Sequence, residues 1–159
     1  MNNRVWIFTA ERPLRDSEES LSCSEIQSFL AGWNAHGTSL ASSFEIRYHQ
    51  MIIIKADEQQ FSASGCSIDK LMRCIQQLER QLGVSLLNRQ LIAFLKGDKF
   101  FVHPAVKTTE LIQQNILSDD SMVFDLSVSN ENELQEKFQL ALRDTWLKKY
   151  LKINETLSN

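Results

Sequence analysis

The sequence predicts a single α+β domain: a mainly antiparallel sheet with helices packed on it. Three observations predict it. Short β-branched runs alternate with longer stretches whose apolar residues recur at three and four. Two apolar runs flank a Gly97-Asp98 pair, the mark of a tight hairpin. At 159 residues, with 43% hydrophobic and 23% charged residues, the chain can bury a core without disulfides or metals.

Each element follows from its pattern. "RVWIFT", from Arg4 to Thr9, reads as a strand, and the polar stretch around Pro13 as a loop. Ser22 and Glu25 have the spacing of a capping box, and Ile26, Phe29, Leu30 and Trp33 form a helical stripe that Gly37 should end. Phe44, Ile46 and Tyr48 alternate with polar residues as in a half-buried strand. Met51 to Ala56 is almost wholly apolar, as in a central strand covered on both faces. His49-Gln50 between them is poor turn chemistry, so a hairpin and one long strand both remain open.

From Ser67, the positions Ile68, Leu71, Met72, Ile75, Leu78 and Leu82 predict a second helix, closed by Gly83. "QLIAFLKGDKFFVHP" predicts a hairpin, "KTTELIQQNIL" a short helix and "MVFDLSV" a strand. Asn130 and Glu133 predict the start of a last helix running to about Lys152, with a frayed tail over 153–159. The order suggests a ferredoxin-like βαββαβ core with a hairpin and a C-terminal helix added. That last helix shows one stripe of Leu134, Phe138, Ala141 and Leu142, and a second of Leu140, Leu147 and Leu151. The second stripe is expected to pack on another element of the chain, with a homodimer through this helix as the alternative.

Charge and composition narrow the function classes. A net charge of -3 argues against nucleic acid as a partner. No run of eighteen apolar residues marks a membrane span, and the N-terminus does not read as a signal peptide. Three cysteines without CxxC spacing suggest neither a disulfide framework nor zinc, and place the chain in a reducing cytoplasm. His49 and His103 have no helical i, i+4 partner, so neither metal nor cofactor is expected.

The candidate site is the junction "ASGCSID", where an apolar strand hands over to a helix. Cys66 there would meet unpaired N–H groups and the positive end of the helix dipole, both of which favour a thiolate. Gly65 would permit a tight bend or a close ligand approach. Ser67 and Asp69 belong to the same first turn as candidate ligand contacts for a small anion. The same residues also suit a plain helix cap with a small buried cysteine, and Asp69 would oppose a thiolate. His36, placed by the pattern at the end of the first helix, is the candidate base for Cys66. A catalytic or small-ligand pocket at Cys66 and His36 thus stands beside a non-catalytic structural or interaction module. Arginine six positions after the cysteine, which a phosphatase-type loop requires, is replaced by Met72.

"RVWIF", "GWNAHG" and above all "ASGCSID" resemble a family of small uncharacterised bacterial proteins that often carry the automatic label "ABC transporter ATPase". The resemblance spans residues 4 to 83 most clearly. It implies that His36, Gly65, Cys66 and Asp69 belong to the family pattern, and it brings no activity with it. The label has no physical support, because a Walker loop needs G-x-x-x-x-G-K-[ST] and no such run exists here.

Overall fold

A computed structural model describes residues 3–59 and 62–152. The tail expected at 153–159 lies outside the described residues. The fold is α+β, with antiparallel sheets and helices, and the chain forms two compact units. One comprises Met1–Asn88 with Val128–Gln135, the other Arg89–Ser127 with Glu136–Asn159.

The first unit holds a three-stranded sheet of β1 (Asn3–Thr9), β5 (Met51–Asp57) and β4 (Ser42–Arg47), in the order β1-β5-β4. Both pairings are antiparallel, with Ile54 opposite Trp6 on one side and Phe44 on the other. Met51 to Ile54 are fully buried, so the central strand carries apolar residues on both faces, as its unbroken run requires. Helices α1 (Asp16–Ala31) and α2 (Gly65–Leu82) share a core with Phe8, Ile52, Ile54 and Ala56 on one face. The order matches the first three strands of a ferredoxin-like sheet. The strand that would be the fourth, β6 (Leu91–Lys96), pairs instead in the second unit. The ferredoxin-like core is therefore not completed among the described residues.

α1 begins six residues before the Ser22 expected to cap it. Glu18 is the cause. Its carboxylate accepts the Arg15 backbone N–H at 2.9 Å, a bidentate pair from Arg12 at 2.8 and 2.9 Å, and an Arg15 guanidinium N–H at 2.7 Å. This network seals the first turn from inside the helix. Ser22 lies within the helix, where its hydroxyl donates back to the Glu18 carbonyl at 2.7 Å. α2 matches its pattern better. Leu71, Ile75, Leu78 and Leu82 are buried, and Gly83 takes a left-handed φ of 65° where its N–H caps Glu79.

β4 and β5 do form a hairpin, despite the sequence of its turn. Tyr48 and His49 both adopt φ 56°, a conformation that costs a side-chain-bearing residue energy. Bonds from outside hold it. The Leu14 N–H donates to the His49 carbonyl at 2.7 Å, the Ala10 N–H to Gln50 O at 2.8 Å, and the buried Gln50 amide to Ala10 O at 2.9 Å. No reading of local turn chemistry could see those partners.

The second unit is a four-stranded sheet in the order β7-β6-β8-β9, where β7 is Lys99–Pro104, β8 Met122–Phe124 and β9 Gln139–Ala141. The Gly97-Asp98 turn joins β6 and β7 as expected, with Gly97 at φ 62°. The short helix α3 (Thr108–Gln113) covers Leu111. The long last helix is the main departure. Asn130 does cap a helix, its side chain accepting the Glu133 N–H at 2.9 Å, but α4 (Glu131–Glu136) lasts six residues. Phe138 then packs on Phe124 with its carbonyl taking the Asp125 N–H, and β9 pairs with β8. Two 3₁₀ turns follow, Leu142–Asp144 and Trp146–Lys148, which place Leu142 and Leu147 in the core of this unit. Strand pairing and burial of these leucines on a short path outweigh helical periodicity. The Leu140, Leu147 and Leu151 positions consequently share no helix, and Leu147 is only 3% exposed.

The guanidinium bonds from Arg12, then Arg15, then the Arg15 amide, hold the Glu18 carboxyl far below the ordinary 4.5. The unfolded chain therefore takes up this proton first. The stability due to Glu18 is complete above about pH 4.5 and drains away as pH falls. Glu18→Gln is expected to lower the denaturation midpoint at pH 7 and to flatten the stability loss between neutral and acid pH, both read by urea titration. An unchanged acid profile would contradict the role given to this carboxylate.

Candidate functional site

The site is built around a buried indole. α1 ends at Ala31, short of Gly37, because Trp33 turns inward with 1% of its surface exposed. Its ring meets Trp6 edge-on at 5.6 Å and Phe29 at 5.4 Å. A buried indole N–H needs an acceptor, and it donates to the Ser67 carbonyl in the first turn of α2 at 2.8 Å. The two motifs "GWNAHG" and "ASGCSID" are thereby tied together across 34 residues.

After Trp33 the chain forms a miniature hairpin, β2 (Asn34–Ala35) and β3 (Thr38–Ser39), extended by the Leu40 N–H to Trp33 O at 3.0 Å. His36 is thus the first residue of a two-residue turn. It has φ 53° and Gly37 φ 78°, the positive pair that a type I′ turn demands. A histidine tolerates this region better than most residues, and an X-Gly pair between short runs was the available signal. Ala35 is buried while His36 and Gly37 are exposed at the tip. β2 packs against α2, so the hairpin stands beside that helix.

α2 starts at Gly65, two residues before the start expected at Ser67, and its cap is Ser64. The Ser64 hydroxyl accepts the Ser67 N–H at 3.1 Å and its carbonyl accepts the Ile68 N–H at 3.0 Å. Ser67 is buried, donates its hydroxyl to Ser64 O at 2.8 Å, and serves the joint. The amides of Gly65 and Cys66 have no partner among the described residues. Cys66, second in the helix, is exposed and free, as is Gly65 beside it. Asp69 and Lys70 follow at three and four positions on, so they share its side of the helix, and both are exposed.

The other thiols differ. Burial first, and then the charge of Glu19, pushes the Cys23 thiol up. Burial and then Glu25 do the same to Cys74. Both are held further from the thiolate that reacts.

Of the arginines with a charge to offer an anion, Arg12 and Arg15 are engaged on Glu18 and Arg47 on Glu45 at 2.9 Å, whereas Arg73 on α2 is exposed and forms no ion pair among the described residues. Of the acidic pair at the end of β5, Asp57 accepts the Gln59 N–H and Glu58 the Ala63 N–H, so both shape the loop into α2. No group of three or more His, Cys, Asp or Glu among the described residues could hold a metal ion.

Trp33→Phe keeps an aromatic ring but deletes the donor and leaves a void where the rest of the indole lay. It is expected to cost about 1–3 kcal/mol in unfolding free energy. Amide exchange at the start of α2 should rise more than at its far end. Equal effects at both ends would mean that the bond does not anchor this turn.

Comparison with protein-family models, with curated proteins and with solved structures gives no match.

Proposed function

We propose that the start of α2 is a thiol-based site for a small anionic ligand, with Cys66 as its reacting group. The observation that carries this reading is an exposed free cysteine beside two unclaimed amides at a helix N-terminus. Cysteine ordinarily goes inside, and Cys66 is exposed and outside the core cluster of the first unit. The buried members of both motifs, Trp33, Ala35 and Ser67, account for the joint. His36, Gly65, Cys66 and Asp69 remain exposed beside that joint. In this reading the Gly65 and Cys66 amides receive the ligand's negative charge. His36, on the hairpin fastened to α2, takes the proton of the thiol or of the attacking group. Asp69 and Lys70 select the ligand at the rim. Three free cysteines suit a reducing cytoplasm, which we propose as its location.

A second reading is a protein-interaction module. The exposed Val106, Met122 and Trp146 of the second unit favour it, since large apolar side chains on a surface often meet partners.

Brief iodoacetamide treatment of native protein at pH 7, read by mass spectrometry, separates the two. The thiol reading expects alkylation first at Cys66, with Cys23 and Cys74 slower, and expects His36→Ala to slow Cys66 alone. Labelling of Cys66 no faster than of the two shielded thiols would end it.

A further inference from the structure

The β4–β5 turn carries a second arrangement, separate from Cys66. His49 Nδ1 lies 2.7 Å from the Glu19 carboxylate of α1. His49 also lines an open groove along α1, together with Asp16, Glu19, Ser20, Cys23, Ser24 and Gln27. We propose that the His49–Glu19 pair is a pH-sensitive latch. Protonated, it pins the turn onto α1 beside the groove; deprotonated, it loses the ion pair and its hold weakens.

The turn is a suitable place for a latch, because it stores backbone strain. Two consecutive residues, Tyr48 and His49, are left-handed without being glycine. The backbone bonds from Ala10 and Leu14 also hold the turn, but they involve no titrating group. The imidazole is the one contact whose strength changes between pH 6 and 8.

The surroundings fix the sign. α1 presents Glu19 and, more remotely, Asp16 to the ring, both acidic. In the segment before α1, Arg12 and Arg15 are bonded to Glu18, and in the hairpin itself Arg47 is bonded to Glu45. The hydrogen bond and charge of Glu19 accordingly raise His49 above its ordinary 6.5. A raised folded value means that the hold is complete below about pH 6.5 and is lost as pH climbs through the folded value. Release changes the groove by one charge, leaving two carboxylates with no cation beside Cys23. His49 is 68% exposed, so salt should weaken the latch.

Proton NMR titration of the His49 ring in the full chain tests this directly. The midpoint is expected above 6.5, and at its ordinary value in Glu19→Gln. Each unit of elevation corresponds to about a tenfold tighter latch. Amide exchange at residues 48–50, corrected for the intrinsic effect of pH, should lose protection between pH 6 and pH 8.5 in the wild type. It should not change with pH in His49→Gln. A wild-type midpoint at or below 6.5, or turn protection equal at the two pH values, overturns the proposal without recourse to any variant.

Discussion

A buried indole N–H cannot be left unpaired, and satisfying the one on Trp33 organises the first unit of this protein. The ring lies in the core, where its N–H faces a choice between a protein acceptor and a cost of about 1–3 kcal/mol. The Ser67 carbonyl is available because it lies in the first turn of α2. From that bond the rest follows in order. α1 must end at Ala31 so that Trp33 can turn inward. The chain must then reverse within a few residues, which it does at His36-Gly37. The start of α2 is held against the core, leaving Gly65 and Cys66 on the outside. The exposure of Cys66 is thus tied to the burial of its neighbour Ser67.

What was legible in the sequence was whatever depended on neighbours along the chain. The stripe of α2 could be read because 3.6-residue periodicity and a left-handed glycine are local facts. The β6–β7 hairpin could be read because Gly97-Asp98 selects its own turn. The start of α1 could not, because Glu18 recruits Arg12 and Arg15 and does the work assigned to Ser22. The β4–β5 turn could not, because Ala10 and Leu14 hold Tyr48-His49 in place from forty and thirty-five residues away. The candidate site divides in the same way. Cys66 near a helix start was visible. The identity of the cap and the place of His36 on a hairpin were not, since both follow from the path imposed by Trp33.

The last third of the chain shows how a correct local signal can mislead about extent. Asn130 does cap a helix, and Leu134 is buried as the stripe requires. Yet Val128–Gln135 belongs with the first unit, and Glu136 onward with the second. The segment is fastened to β1 by the Val5 N–H to Ser129 O bond at 2.8 Å and by Asn3 donating to Glu131 at 2.6 Å. Lys55 adds an ion pair to the same carboxylate at 3.5 Å. A helix continuing to Lys152 would carry Leu142 and Leu147 along a single rigid axis. Breaking it at Lys137 lets β9 reach β8 and both leucines reach their core. Periodicity over more than twenty residues gives way to two sets of contacts that a straight helix would not satisfy together.

Polar groups in this molecule sort into those committed to structure and those left over, and the division bears on function. The Glu18 carboxylate, the Gln50 amide, the Trp33 indole and the Ser67 hydroxyl are buried and paired, so each is explained by the fold. The arginines Arg12, Arg15 and Arg47 are taken up by carboxylates. Against that background, the amides of Gly65 and Cys66 and the thiol beside them have no partner among the described residues. A helix cap alone would be served as well by alanine or serine at position 66, because Ser64 already supplies the side-chain acceptor. The fold therefore accounts for the serine on each side of "GC" without calling on the cysteine between them.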